Sequence, residues 1–119
     1  PAGNPSIGDD YVEDTVSVPS ALVPYPQSSF LLQVSGDSMM NAGILNGDMI
    51  VVDKDMEPQH GRIVVASLDG EITVKRLYCK AGELRLLPEN EDFRPIEIPE
   101  GTNFEICGVV VATWRRFIQ

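Results

Sequence analysis

Histidine and cysteine are scarce in this 119-residue sequence, which contains one histidine, His60, and two cysteines, Cys79 and Cys107. The cysteines are far apart and lack the Cys-x-x-Cys spacing of zinc sites, and His60 would add only one further ligand. We therefore expect no metal site and no cofactor, and two ordinary thiols in a reducing compartment rather than a disulfide. A Ser-His-Asp triad would have to use His60, which lies in a polar turn where nothing indicates a buried acid.

Basic residues are almost missing from the first half of the chain. Residues 1–60 contain nine acids and one base, Lys54, whereas residues 61–119 contain nine acids and eight bases, and the net charge is −9. Phosphate repels such a chain, so we expect no direct binding of duplex DNA. No apolar run approaches the roughly 18 residues that span a bilayer, and no signal peptide pattern occurs, so we expect no membrane partner and a cytoplasmic location.

Short strand patterns separated by turn signals make up most of the sequence. The first residue is Pro1, which we interpret as the start of a trimmed or processed chain. Residues 1–10 are rich in Pro, Gly, Asn and Asp and are predicted to form an extended arm, followed by one domain over residues 11–119. No stretch keeps a 3.6-residue period beyond a turn or two, so the fold class predicted is mostly β, with short antiparallel strands.

The clearest strand signal is RIVVASLDGEITVKRL, in which two strands flank Asp69-Gly70, a pair favoured in two-residue hairpin turns. Further strand patterns are YVEDTVSV, FLLQVSG, MIVVD, ELRLLPENEDFRPIEI and FEICGVVVATW. The apolar stretch CGVVVATW, residues 107–114, allows two interpretations. It is either an edge strand that needs a partner chain to cover it or a central strand of the core.

Two polar residues, Ser38 and Lys75, occupy unusual places in these patterns. Ser38 lies in SGDSMM, where a strand ends at a glycine, and it either caps a short helix or is a nucleophile held at a corner; Met39 and Met40 are interpreted as packing beneath it. Lys75 shares a strand face with Thr73 and Leu77, and neither face of that strand is cleanly polar. Such a lysine either snorkels to the edge or loses its charge and activates a serine. The residues alone leave both alternatives open.

Four motifs together resemble the self-cleaving LexA/UmuD family of bacterial SOS-response proteins: SGDSM, GDMIVVD, HGRIVVASLDGEITVKRL and LLPEN. The resemblance covers nearly the whole chain and implies the curved antiparallel strands of the family's C-terminal peptidase fold. It also implies that Ser38 is the nucleophile and Lys75 the general base of an autoproteolytic serine peptidase. The bond cut would be Ala2-Gly3, in the arm, and the oxyanion would be held by backbone N–H groups of Ser38 and Asp37.

The resemblance further implies partners, which are a second copy of the chain in a homodimer and a RecA filament on single-stranded DNA. NPSIGDDYVED and HGRIVVASLDGE are similar to the UmuD-like branch, which we take as the leading interpretation. That branch implies an accessory subunit of an error-prone translesion polymerase with a UmuC-like partner. LLPENEDFRPI is closer to LexA-like repressors, and phage repressors are a third possibility. An interaction module in which the serine and lysine are idle is the alternative from another functional class.

Overall fold

Antiparallel strands form one seven-stranded sheet in the computed structural model, which describes residues 20–118. The strand order is β1-β2-β7-β3-β4-β5-β6, and every neighbouring pair is antiparallel. The strands are β1 (Ser29–Gln33), β2 (Met49–Asp53), β3 (Ile63–Leu68), β4 (Glu71–Lys80), β5 (Glu83–Leu87), β6 (Ile96–Glu97) and β7 (Phe104–Trp114). Short 3-10 helices lie at Pro26–Ser28 and Met40–Ala42. The predicted mostly-β antiparallel fold is confirmed, whereas the predicted arm and the YVEDTVSV strand lie outside the described residues.

The β3–β4 hairpin carries one of the two candidate catalytic residues. Asp69 and Gly70 have φ values of 50° and 87°, and two consecutive positive φ angles are what a type I′ turn requires. In the resulting register Lys75 lies opposite Val64, which in turn lies opposite Val109 on β7. Directly opposed residues point to the same side of a sheet, so Lys75 stands in a row with two buried valines.

The last strand, β7, joins the two parts of the sheet. Residues 104–109 pair with β3 and residues 109–114 pair with β2, with register shifts that leave Cys107 and Val111 as extra residues on β7. Bulges of this kind bend a strand and increase its twist. Of the two interpretations of CGVVVATW, the structure therefore supports a central strand, since β7 lies between β2 and β3.

Apolar side chains cover both faces of the sheet. Val64 and Val65 are adjacent on β3 and so point to opposite faces, and they belong to two different buried clusters. The first cluster contains Leu32, Val34, Met39, Ile44, Ile50, Val52 and Val65, and the second contains Val64, Ala66, Leu77, Leu86 and Val109. Because Met39 belongs to the first cluster, the chain next to Ser38 is anchored in the core.

Candidate active site at the Ser38 corner

Ser38 lies in a tight turn between β1 and the 3-10 helix Met40–Ala42. The turn begins at Gly36, whose φ of +92° favours glycine and whose N–H donates a 2.8 Å hydrogen bond to Asn46 Oδ1. On the other side of Ser38, Met39 is only 1% exposed. Met40, by contrast, is 44% exposed, so the expectation that both methionines pack under the corner is wrong for Met40, which belongs to a helix that buries none of its residues.

Lys75 brings its amine to this corner. Its Nζ lies 2.9 Å from Ser38 Oγ, 2.6 Å from Thr73 Oγ1 and 3.2 Å from the Val74 carbonyl oxygen. A neutral amine has two N–H donors and one lone pair, so it can donate to Thr73 and Val74 while accepting the proton of Ser38. The arrangement therefore suits a lysine that removes a proton from the serine without moving.

Burial favours the uncharged form of Lys75. The residue is 8% exposed, so its amine does not snorkel to solvent, and the desolvation lowers its pKa below the ordinary lysine value. None of the salt bridges in the described part of the chain involves Lys75, so no carboxylate offsets this effect. Burial thus shifts Lys75 toward the neutral form that a general base requires.

The segment after β5, residues 88–90, holds the corner in place. Glu89 donates its N–H to the Ser38 carbonyl at 2.7 Å, and Asn41 donates its N–H to the Glu89 carbonyl at 2.8 Å. Asn90 Nδ2 donates to the Asp37 carbonyl at 2.9 Å. The Glu89 carboxylate accepts from Arg76 Nε at 2.5 Å, so the segment also contacts the strand that carries the lysine. The sequence drew attention to LLPEN only as a motif and did not reveal these contacts.

Two N–H groups at the corner were predicted to hold an oxyanion, those of Asp37 and Ser38. Within residues 20–118 neither of them donates a hydrogen bond, so neither N–H group is already engaged. Preorganised N–H donors of this kind stabilise the charge that develops when a serine attacks a carbonyl.

The other chemically reactive side chains lie apart from this pair. His60 Nδ1 accepts the Cys79 N–H at 3.1 Å, and the imidazole packs edge-on against Tyr78, so its contacts are with β4 rather than with Ser38. Cys79 and Cys107 are free thiols, and burial raises the pKa of Cys107. Residues 20–118 contain no group of three or more His, Cys, Asp or Glu side chains placed to hold a metal ion. No helix among these residues is long and apolar enough to cross a membrane.

A family model described as Peptidase S24-like matches residues 1–111 of the sequence. The chain belongs to this peptidase family. A LexA repressor of Paracidovorax citrulli (strain AAC00-1) is 42% identical over 114 residues, which are 96% of this chain and 50% of that protein. A LexA repressor of Clostridium botulinum (strain Hall) is 38% identical over 116 residues, 98% of this chain and 56% of the relative. A LexA repressor of Aeromonas hydrophila is 45% identical over 97 residues, 82% of this chain and 46% of the relative.

These S24-like relatives confirm the resemblance to the LexA/UmuD group at the level of the family. The chain spans about half the length of the LexA repressors that it matches. Because the relatives are named LexA repressor, they favour the LexA-like alternative over the UmuD-like interpretation that the motifs suggested.

Proposed function

We propose that the chain is the self-cleaving domain of a LexA-like SOS-response repressor, with Ser38 as nucleophile and Lys75 as general base. The observation that carries the proposal is the 2.9 Å separation of Lys75 Nζ and Ser38 Oγ in a buried site where, among the described residues, no salt bridge involves the amine. Membership of a peptidase family and the LexA relatives support it. In this proposal residues 1–10 are the arm that carries the bond to be cut, and residues 11–119 are the catalytic domain.

The proposed reaction has two stages, which are formation of an ester on Ser38 and hydrolysis of that ester. Neutral Lys75 accepts the proton of Ser38 Oγ as that oxygen attacks the Ala2 carbonyl carbon, and backbone N–H groups of the corner stabilise the oxyanion. The Ala2-Gly3 bond then breaks, and the proton passes from Lys75 to the departing Gly3 amine. A water molecule then loses a proton to Lys75 and attacks the Ala2 carbonyl carbon of the ester. The bond to Ser38 Oγ breaks, and Oγ takes the proton back from Lys75.

Activation is proposed to come from a RecA filament on single-stranded DNA. In thermodynamic terms the filament must bind the cleavage-competent state, with the arm beside Ser38, better than it binds the resting state. The filament therefore acts on the population of competent chains, and the chemistry remains that of the serine and lysine.

A homodimer is part of the same proposal. Residues 110–114 of β7 pair with β2 on one side, and within the described chain no strand pairs with them on the other side. Such an edge can pair with the same strand of a second copy. Phe117 and Ile118 follow β7 after Arg115 and Arg116 and are 88% and 82% exposed, which adds exposed apolar surface near the end of the strand. Sedimentation at micromolar concentration should show a dimer, and a monomer alone would contradict this part of the proposal.

The experiment that tests the cleavage is a time course on a chain lengthened before Pro1 by a tag. We expect a cut at Ala2-Gly3 at alkaline pH without any partner, and at neutral pH when RecA filaments are added. Ser38→Ala and Lys75→Ala should remain intact in both conditions. An intact parent chain in both conditions would leave the interaction-module alternative as the better account.

The UmuD-like alternative, with a UmuC-like polymerase subunit as partner, is supported by the N-terminal motif NPSIGDDYVED. The two branches differ in what precedes the peptidase domain. A DNA-binding helix-turn-helix domain encoded before Pro1 would support the repressor, and a short arm alone would support the polymerase accessory subunit.

A further inference from the structure

The peptide groups on both sides of Ser38 are fixed by the segment of residues 88–90. Asn90 Nδ2 donates to the Asp37 carbonyl at 2.9 Å, and the Glu89 N–H donates to the Ser38 carbonyl at 2.7 Å. A trans peptide group is planar, so a contact that fixes its carbonyl also fixes the opposite direction of its N–H. Asn90 therefore sets the direction of the Ser38 N–H, and Glu89 sets that of the Met39 N–H.

The Asn90 side chain has its own orientation fixed. Its Oδ1 accepts the Asp92 N–H at 3.0 Å, which leaves Nδ2 for the Asp37 carbonyl. That carbonyl also accepts the Met40 N–H, at a longer 3.2 Å. Loss of the Asn90 contact would thus loosen the peptide group in front of Ser38 without removing every restraint on it.

We propose that Asn90 is a positioning residue of the oxyanion site. Through the Asp37 carbonyl it aims the Ser38 N–H at the oxygen that becomes negative when Ser38 attacks a carbonyl. The inference rests on the proposed self-cleavage, and it assigns a role to a side chain that touches neither the nucleophile nor the base. N–H donors accelerate such a reaction because they are aligned before the charge appears.

The substitution that isolates this contact is Asn90→Asp. The carboxylate keeps an oxygen for the Asp92 N–H, but it replaces the Nδ2 donor by an oxygen that repels the Asp37 carbonyl. Asn90→Ala removes the donor without adding charge. We expect each variant to lower the maximal rate at alkaline pH by about 10- to 100-fold, the scale of misaligned or missing oxyanion donors. In Asn90→Ala the pH of half-maximal rate should stay at the parent value, because the surroundings of the Lys75 amine are unchanged.

The matched control is Asn103, an exposed asparagine that contacts Asp69 through its backbone. Asn103→Asp and Asn103→Ala make the same chemical changes far along the chain from Ser38, and both should cleave at the parent rate. Thermal unfolding of all four variants shows whether a slower reaction comes with a less stable fold.

Each protein is assayed in two reactions, cleavage of the tagged chain and labelling of Ser38 by a fluorophosphonate. In the labelling, Ser38 Oγ bonds to phosphorus, fluoride leaves, Lys75 takes the proton, and the phosphoryl oxygen gains charge as a carbonyl oxygen would. A parent chain that is labelled but not cut would refute the proposed function, while its labelling rates would still test Asn90. The inference is supported if labelling slows in both Asn90 variants with an unchanged unfolding temperature, and if Asn90→Ala keeps the half-maximal pH of the parent. It is overturned if their labelling matches the parent, if rate and unfolding temperature fall together, or if the parent is not labelled.

Discussion

At the scale of single residues, the buried amine of Lys75 dictates how cleavage depends on pH. Only neutral Lys75 accepts a proton, and burial lowers its pKa, so the rate should rise as pH increases through that value. Ser38→Ala and Lys75→Ala should each slow cleavage by about 10³-fold or more. Lys75→Arg should be equally inactive, because a guanidinium stays protonated. Cleavage rates measured between about pH 6 and pH 11, around the reference lysine value, check this; a flat profile would rule out Lys75 as the base.

The same lysine should make stability depend on pH. Its folded pKa is lower than the unfolded value of about 10.4, so between the two values the unfolded chain binds a proton that the folded chain lacks. The free energy of unfolding of the parent should therefore rise with pH across that window, relative to that of Lys75→Met, which cannot titrate. Urea unfolding of both proteins at several pH values measures the difference; a difference independent of pH would contradict the shifted pKa.

Thr73 is the second acceptor that fixes the amine, through the 2.6 Å contact of its Oγ1. Thr73→Val keeps the shape of the side chain but removes that acceptor, and we expect the cleavage rate to fall about 10-fold as the base loses alignment. Thr73→Ser keeps the hydroxyl and should stay close to the parent rate. Equal rates in the valine and serine variants would show that the hydroxyl has no part in positioning Lys75.

The sequence could reveal Thr73 but not Asn90. Strand alternation already places Thr73 and Lys75 on one face, so a hydroxyl next to the amine follows from local geometry. The contact of Asn90 with Asp37 requires the chain after β5 to fold back onto a turn that precedes β2, and no periodic pattern encodes such a meeting. The family motif LLPEN pointed to the right residues without giving a reason for them.

At the scale of the strands, Gly108 on β7 lies close to the end of β2. A Cβ atom there would lie 2.6 Å from Val52 Cγ1 and 2.9 Å from the Asp53 carbonyl oxygen, distances that force a shift in a buried strand. Gly108→Ala should therefore lower the free energy of unfolding by about 1–3 kcal/mol through overpacking. Glu105→Ala, an exposed change on the same strand, should stay within about 0.5 kcal/mol of the parent. Denaturant unfolding of both variants tests the difference, and an alanine tolerated at 108 would mean that β2 can move aside.

Local elements were the most predictable part of the fold. The β3–β4 hairpin follows from Asp69-Gly70 and from alternation on both sides of it, which are properties of neighbouring residues. The position of β7 between β2 and β3 could not be derived in the same way, because FEICGVVVATW is apolar enough for an edge in a dimer or for a core strand. Only the pairing of distant strands decides between the two.

At the scale of the whole molecule, Arg115 connects the end of β7 to the loop that follows Ser38. Its guanidinium contacts Asp48 at 2.6 Å and 3.1 Å and donates to the Gly43 carbonyl at 3.1 Å, while Asp48 itself is 1% exposed. Burial by itself would raise the pKa of Asp48, but the hydrogen bonds from Arg115 and from the Leu45 N–H outweigh it and lower the pKa below its usual value.

Replacing Arg115 by methionine should lower the free energy of unfolding more at neutral pH than in acid. A carboxyl group with a depressed folded pKa stabilises the fold above its unfolded pKa of about 3.9, and the stabilisation is lost as pH falls through the folded value. The parent and Arg115→Met should thus differ at pH 7 and converge in acid, where Asp48 is protonated in both. Thermal unfolding across this pH range provides the measurement; a deficit that persists in acid would assign the loss to packing rather than to charge.

The place of β7 in the sheet also has a consequence for the order of events during synthesis. In the described chain β2 and β3 do not pair with each other, and both pair with β7, which is the last of the described strands to be translated. Ser38 follows β1 on one side of that junction, and Lys75 lies on β4 on the other. A nascent chain emerges from its N terminus, so the sheet cannot close until β7 has left the ribosome. A chain built in this way brings Ser38 and Lys75 together only after β7 has been synthesised.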